Sequence, residues 1–321
     1  MEKVEVGRGA VLGALAGDAA GATLEFSSWA LDRQRVKGAM EMVGGGKLRT
    51  APGQITDDGE MALCLMHALA GESTFSIEKA AVEYLRWYRS RPFDIGGTTS
   101  TGLFGGEGQP AGRVHEGMWR AAEEHNSMSK ANGGLMRIAP LGVWGWRLSA
   151  EALVEAVCFD SRLTHSHPSC QHAAAVYCLA IRHLMNNPGD SKGAFRTAEE
   201  WADKLENFEA RHWLSQAAEG EDVGYSPHIG FVRYGFTHAF RHLKMQTPYP
   251  EAIFETLFGG GDTDTNACIV GGLVGALHGE EGIPVRMRDA LYRCDTRQGR
   301  PRGEFLQTRV QLPALLDLLI A

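Results

Sequence analysis

The 321-residue sequence has no Cys-x-x-Cys pair, no apolar run long enough to cross a membrane and few stretches of alternating apolar and polar residues. Each absence excludes a class of protein. The six scattered cysteines do not indicate a disulfide framework, and we expect reduced core residues. A membrane span needs roughly 18 apolar residues, and the N-terminus lacks the basic-then-apolar layout of a signal peptide. We therefore expect a soluble, cytoplasmic protein.

The sequence also lacks a basic cluster. Its net charge is −7 and its pI is about 6.0, which gives no general attraction to nucleic acid phosphates or anionic lipids. We therefore expect neither nucleic acid nor a membrane as a partner. No internal repeat and no Pro/Ser-rich linker divides the chain, so we expect a monomer with a single domain over residues 1–321.

What the sequence does contain is apolar residues at helical spacing. Two sets each share one helical face: Val11, Leu12, Leu15 and Ala19, and Ala80, Ala81, Tyr84, Leu85 and Tyr88. This spacing predicts an all-α fold. Further helices are expected at 150–160, 168–186, 192–205, 210–219, 231–244, 250–258, 267–277, 284–292 and 310–319. The helices around Gly13 and Gly271 are so rich in small residues that we expect close packing between central helices.

Two clusters of acids and hydroxyls lie far apart in the sequence. The first is Thr56, Asp57 and Asp58, and the second is Asp262, Thr263, Asp264 and Thr265. Each follows a glycine-containing loop and opens an apolar helix. Oxygen ligands packed this densely favour a hard cation such as Mg²⁺, Mn²⁺ or Ca²⁺. The alternative is that each cluster merely caps its helix.

The spacing within the clusters fits a metal site. Asp57 and Asp58 are adjacent at a helix start, so the two carboxylates can face different sides of an ion. Asp262 and Asp264 are separated by one residue, so both side chains lie on the same side of an extended loop. Asp264 is then placed to bridge two ions. Two converging helix N-termini would also favour the ionised acids.

Six ordered blocks resemble the signature blocks of the ADP-ribosylglycohydrolase family, of the dinitrogenase reductase-activating type. They are residues 17–26, 56–61, 94–99, 132–137, 164–168 and 261–267. The similarity runs from about residue 10 to residue 280. It implies an all-helical hydrolase that removes ADP-ribose from a modified protein side chain, in the first place arginine, with ADP-ribose as the product.

The resemblance also implies two divalent cations, Mg²⁺ or Mn²⁺. In the family, the residues that match Thr56, Asp57, Asp58 and Asp264 hold one ion, and those that match Asp262, Asp264, Thr265 and Glu25 hold or approach the second. Glycosidic cleavage needs a proton for the leaving group and a base for water. The candidate catalytic carboxylates are Asp57, Asp58 and Glu25, and between the two adjacent aspartates Asp58 is slightly favoured as the acid/base group. The alternative for Glu25 is an exposed acid that follows an apolar helix.

The remaining blocks imply substrate contacts. The expected substrate-binding residues are Asp94, Gly96, Gly97, Ser129, Lys130, Ala131, Asn132, Gly133, His165 and Tyr225. In arginine-specific relatives the acid that matches Asp94 lies near the guanidinium, a planar group that pairs well with carboxylates. Its alternative is a loop aspartate that accepts backbone hydrogen bonds. Ala131 departs from the family's commoner Gly-Asn-Gly pattern in the diphosphate loop. Tyr225 either contacts the adenosine or is an ordinary core tyrosine.

Rival functions remain within the same fold. ADP-ribosylated serine, ADP-ribosyl nucleic acid bases and O-acetyl-ADP-ribose are alternative substrates. A different class of function is an ADP-ribose-binding immunity protein that acts against an ADP-ribosylating toxin. A binding protein that has lost catalysis is expected to lose some of its site acids, and here both clusters are complete.

Overall fold

A computed structural model describes residues 1–27 and 31–321, and these residues form helices without a β-sheet. The helices are α1 (Lys3–Gly21), α2 (Arg33–Met40), α3 (Asp57–Leu69), α4 (Ile77–Arg89), α5 (Gly97–Phe104), α6 (Val114–Asn126), α7 (Gly133–Met136), α8 (Ala139–Trp144), α9 (Ala150–Arg162), α10 (Pro168–Asn186), α11 (Ser191–Lys204), α12 (Phe208–Glu219), α13 (Val232–Met245), α14 (Tyr249–Gly259), α15 (Thr263–His278), α16 (Val285–Arg293) and α17 (Thr308–Ile320). No helix among the described residues has the length and apolarity that a bilayer span requires.

The prediction of an all-α fold is confirmed. The helix expected at 168–186 matches α10 at both ends, and most other boundaries agree within two residues. Helix α15 begins four residues before its expected start, because the acidic cluster forms the first turn of the helix rather than the loop before it. Helices α2 and α5 to α8 were not predicted. Helix α5 is rich in glycine, threonine and serine, which have low helix propensity.

Helices α1 and α15 pack backbone against backbone at the centre of the fold. A Cβ atom at Gly13 would lie closer than 3.0 Å to the carbonyl oxygen of Gly271, and a Cβ atom at Gly271 would clash in the same way with Gly13. Gly9 and Gly275 repeat this reciprocal contact one turn further along. The small residues of both helices are therefore required by the packing, and the expected central pair is confirmed.

This contact brings the end of α1 to the beginning of α15. Gly21 is the last residue of α1, and a Cβ atom there would clash with the Cα atom of Asp264. Glu25 follows α1 closely, and its Oε2 accepts the backbone N–H of Thr263 at 3.0 Å. The packing of small residues thus delivers Asp18 and Glu25 to the N-terminal turn of α15.

A buried ion pair holds helix α3 in place. Glu60, in its first turn, is buried and accepts hydrogen bonds from Arg302 Nε at 2.7 Å and from Trp87 Nε1 at 2.7 Å. Breaking such a buried ion pair would leave a charge without a partner. This buried ion pair therefore anchors the N-terminal turn of α3.

We expect Gly271→Ala to lower the free energy of unfolding by about 1–3 kcal/mol, because the added methyl group must separate two helix backbones. The matched control is Gly38→Ala on α2, where a Cβ atom meets nothing within 4 Å. That change should instead stabilise the protein by about 0.5–1 kcal/mol. Denaturant unfolding measures both values. Equal effects of the two substitutions would contradict the tight helix contact.

Candidate active site

The first acidic cluster forms the N-terminal turn of α3. Thr56 is the N-cap residue, yet its side chain does not cap its own helix. Its Oγ1 donates instead to Asp18 Oδ1 at 2.8 Å. Asp18 also accepts the backbone N–H groups of Thr56 at 3.0 Å and Gly59 at 2.9 Å. A carboxylate on α1 therefore caps α3 across the helix interface.

Asp18 is a site residue that the sequence analysis missed. It is fully buried on α1, and one of its carboxylate oxygens lies within 4.8 Å of ligand atoms of Asp58 and Asp264. The available signal was a single acid within a stripe of glycine and alanine. A buried carboxylate needs partners to offset its desolvation, so its position on a core helix indicated a polar partner elsewhere in the chain.

The second acidic cluster opens α15 in a similar way. Asp262 is the N-cap residue, and its side chain makes no capping hydrogen bond. The backbone N–H and the hydroxyl of Thr263 both donate to Glu25 Oε2 at 3.0 Å. Glu25, Asp262 and Asp264 each offer an oxygen within 4.8 Å of the others. Asp264 therefore belongs to two groups of acids, one with Asp18 and Asp58 and one with Glu25 and Asp262.

Burial makes these carboxylates difficult to ionise. It raises the pKa of Asp18 to about 7 and, with repulsion from Asp262, raises the pKa of Glu25 to about 7. Burial and the neighbouring acids also raise the pKa of Asp58 and of Asp264 well above the usual range. The protein therefore holds several mutually repelling acids beside a cleft whose lining, among the described residues, includes no lysine or arginine.

The donor set fits a hard divalent cation. Every ligand group is a carboxylate, and the buried Oδ1 of Asp58 has no hydrogen-bond partner among the described residues. The hydroxyl of Thr265 lies 3.4 Å from Asp58 Oδ2, and Thr56 is fully buried beside the same carboxylate. A cation would offset the repulsion that burial intensifies. The two acid groups are therefore able to bind metal ions.

A cleft opens over these acids. The predicted site residues that line it are Glu25, Asp57, Asp94, Gly96, Gly97, Ala131, Asn132, Gly133, His165, Asp262, Asp264 and Thr265. Two exposed apolar side chains, Phe26 and Ile229, also contribute to the lining. The fold thus brings together residues from sequence blocks that are more than two hundred positions apart.

The N-terminus of α5 forms part of the cleft wall. Gly96 is its N-cap residue and has no side chain with which to cap the helix. Gly97, Thr98 and Thr99 follow it along the same wall. The first backbone N–H groups of a helix have no intrahelical acceptor and favour an anion. This wall is suited to a phosphate group.

Three of the expected substrate-binding residues do not line the cleft. Ser129 Oγ bonds to Thr98 Oγ1 at 3.0 Å, and Lys130 Nζ donates to Glu209 at 2.8 Å. The Tyr225 ring is buried and stacks on His238, with ring centroids 4.3 Å apart. These partners, rather than the cleft, determine where the three side chains lie. Tyr225 has the position of a core tyrosine, the alternative that its sequence context left open.

The chain is similar to known proteins along most of its length. Residues 4–315 match the family model described as ADP-ribosylglycohydrolase. The chain is 30% identical over 278 residues to the ADP-ribosyl-(dinitrogen reductase) glycohydrolase of Rhodospirillum rubrum, a match that covers 86% of each chain. It is 29% identical over 287 residues to the ADP-ribosylarginine hydrolase Tri1 of Pseudomonas putida (strain GB-1), with 86% of this chain and 71% of that one covered.

A solved structure described as an ADP-ribosylglycohydrolase-related protein complex has a similar fold. Its TM-score is 0.72 at 24% sequence identity, and the match covers 99% of this chain and 98% of that chain. The helical arrangement is therefore shared with that structure across the whole chain.

We expect the stabilisation by Mn²⁺ to grow as the pH rises from about 5 to about 8. In the metal-free protein, a carboxyl whose pKa is raised by folding gives its full stabilisation when the pH is below its pKa in the unfolded chain, which is about 4. That contribution is lost as the pH rises through about 7 for Asp18 and Glu25. Cations bind the deprotonated acids, so they replace the lost stability at high pH. The measurement is the difference in Tm with and without Mn²⁺.

We compare Tm with and without Mn²⁺ because buried histidines change the stability of the protein with pH in the opposite direction to the buried acids. Burial lowers the pKa of His165 to about 3 and of His238 to about 4, so these groups destabilise the metal-free protein at low pH. They contribute equally to both samples and cancel in the difference. A stabilisation by Mn²⁺ that is constant with pH, or that falls, would show that protons do not compete with the cation.

Proposed function

Because the chain belongs to the ADP-ribosylglycohydrolase family and is an ADP-ribosyl glycohydrolase, we propose that it hydrolyses the N-glycosidic bond of ADP-ribosyl-arginine in modified proteins. The observation that carries this choice is the carboxylate of Asp94, which lines the cleft together with Asp57 and Asp262. A guanidinium is planar and cationic, so Asp94, which is not among the proposed metal ligands, favours it over a neutral linkage. The name of the Pseudomonas relative specifies ADP-ribosylarginine, and the name of the Rhodospirillum relative specifies an ADP-ribosylated protein.

We further propose two bound ions, Mg²⁺ or Mn²⁺. Thr56, Asp57, Asp58 and Asp264 would hold the first, close to Asp18, and Glu25, Asp262, Asp264 and Thr265 would hold the second. Such ions would supply Lewis acidity, able to orient ribose hydroxyls and to acidify a water molecule. Asp264 is the carboxylate that both acid groups share, so we assign it as the residue that would hold both ions.

We assign general acid–base catalysis to carboxylates that line the cleft. Asp57 and Glu25 line it, whereas Asp58 is 1% exposed and lies beneath it. Without a cation, burial raises the pKa of Asp57 well above the usual range, whereas a bound ion would keep this carboxylate ionised. In the hydrolysis, one proton goes to the departing guanidine nitrogen and the hydroxyl of water is added to ribose C1. We assign both proton transfers to the carboxylates of Asp57 and Glu25, which take the proton from water and pass one to the departing nitrogen.

The diphosphate is assigned to the wall formed by α5 and Gly133. A Cβ atom at Gly97 would meet nothing within 4 Å, so the backbone there is open to a phosphate, and the first turn of α5 is uncapped. Asn132 donates to Asp262 Oδ2 at 2.8 Å, which links the phosphate wall to the acids.

All six cysteines are unpaired, which suits the reducing cytoplasm where we expect the protein to act.

We expect the protein to release ADP-ribose from an ADP-ribosyl-arginine protein faster than from ADP-ribosyl-serine, an ADP-ribosylated nucleic acid base or O-acetyl-ADP-ribose. The measurement is free ADP-ribose in a panel of these compounds with added Mg²⁺ or Mn²⁺. Exhaustive chelation should abolish release, and either metal should restore it. Full activity after chelation would contradict the metal-assisted function, and a preference for another conjugate would replace arginine as the substrate.

We expect Asp264→Asn to lose at least one bound metal ion and most of its turnover while the helical fold is retained. The substitution keeps the side-chain shape but removes a charge from both acid groups. The matched control is Asp94→Asn, which should keep both ions and slow arginine-linked substrates selectively. Elemental analysis gives metal content and ADP-ribose release gives turnover. Two bound ions and a near-normal rate in Asp264→Asn would rule out the bridging role.

A further inference from the structure

A buried polar network stands behind the cleft wall. Arg137 is fully buried and donates from Nε to Asp160 Oδ1 at 3.0 Å and from Nη2 to the Asp160 carbonyl oxygen at 2.9 Å. The other carboxylate oxygen of Asp160 accepts the hydroxyl of Tyr84 at 2.9 Å. The guanidinium also lies over the Tyr84 ring. These contacts fix the plane of the guanidinium and leave Nη1 directed at a hydroxyl group.

That hydroxyl belongs to Thr164, and it connects Arg137 to His165. Arg137 Nη1 lies 2.9 Å from Thr164 Oγ1, and Thr164 Oγ1 lies 2.8 Å from His165 Nδ1. Arginine can only donate, so the Thr164 oxygen accepts from it. The hydroxyl hydrogen has one remaining partner, His165 Nδ1. If Nδ1 carried a proton instead, the buried hydroxyl hydrogen would have no acceptor, which is a costly arrangement.

The proton of the neutral imidazole therefore belongs on Nε2. This nitrogen is buried and has no hydrogen-bond partner among the described residues, although the His165 ring lines the cleft. A Cβ atom at Gly133 would lie 3.1 Å from Nε2, so only a glycine lets the main chain pack this closely against the edge of the ring. An unpaired buried donor at a cleft wall is an unusual feature that calls for a partner.

We propose that Arg137 and Thr164 are positioning residues that hold His165 as its neutral Nε2–H tautomer and so present a hydrogen-bond donor to an oxygen of the ligand in the cleft. The ligand part of this inference rests on the proposed function, whereas the tautomer does not. Burial and, to a smaller extent, the adjacent Arg137 guanidinium lower the pKa of His165 to about 3, so the ring remains neutral at physiological pH. The donor is then available without introducing a cation beside the acids.

The tautomer can be read directly by NMR in the ligand-free protein. Long-range ¹H–¹⁵N correlation of histidine-labelled protein distinguishes a protonated from an unprotonated ring nitrogen, and the loss of one signal set in His165→Gln assigns it. We expect protonated Nε2 and unprotonated Nδ1. A ring protonated on Nδ1, or one that exchanges between tautomers, would overturn the inference. This result needs no folded variant at position 164.

Variants then test the positioning role. Thr164→Val removes the hydroxyl and should release His165 into a mixture of tautomers, whereas Thr164→Ser should restore the single tautomer. The matched control is Thr237→Val, which removes a buried hydroxyl that has no partner among the described residues and should leave the His165 signals unchanged. If Thr164→Val keeps the wild-type tautomer, Thr164 does not position the ring. If the variant does not fold, the wild-type spectrum alone decides the tautomer.

ADP-ribose is the probe for the ligand part. We expect it to shift the His165 Nε2–H resonance, and we expect Thr164→Val to weaken ADP-ribose binding about three- to tenfold by calorimetry, the usual scale for one hydrogen bond. Bound ADP-ribose with an unshifted Nε2–H resonance would overturn the donor role. No binding of ADP-ribose to the wild-type protein, with the Nε2–H tautomer present, would instead count against the proposed function.

Discussion

Where helices α1 and α15 lie together, glycine meets glycine, and the two backbones approach more closely than a Cβ atom allows. The acids of the candidate site depend on this contact. Asp18 and Glu25 come from α1 and the residues that follow it, and Asp264 comes from the first turn of α15. A displacement of about half an ångström is large compared with the tolerance of a metal–oxygen bond. The small residues of the core are therefore a requirement of the site as well as of the fold.

The contact between α1 and α15 brings carboxylates together, and the fold alone does not offset the repulsion between them. Five acids are held close together out of water: Asp18, Glu25, Asp57, Asp58 and Asp264. Their raised pKa values show that the protein without a cation favours partial protonation. Part of the conflict is relieved by hydrogen bonds, since Asp18 caps α3 and Glu25 caps α15. Asp58 Oδ1 has no hydrogen-bond partner among residues 1–27 and 31–321, so these hydrogen bonds do not satisfy every acid.

Sequence patterns predicted the local features well, but they predicted only some of the contacts between residues that are far apart in the sequence. The 3.6-residue spacing located the long helices, and the glycines around Gly13 and Gly271 indicated the central pair. Asp18 was missed because its partners, Thr56 and Gly59, are about forty positions away and belong to another helix. Tyr225 was ambiguous for a related reason, since the ring of His238 that it stacks on is identified only by the folded chain. Helices α5, α7 and α8 were missed because they are short and tertiary contacts stabilise them against weak local propensity. Helix α6 was missed although Val114, Met118 and Ala122 are buried at helical spacing.

The central claim is that the buried acids form a metal centre in which cations replace protons. The most direct test is calorimetric titration of the chelator-treated protein with Mn²⁺ at about pH 6.5 in two buffers of different ionisation enthalpy, which gives the number of protons released on binding. Since Asp18 and Glu25 have pKa values of about 7, we expect at least one proton to leave per protein molecule. Tight binding of Mn²⁺ without proton release, or no binding at all, would contradict the account.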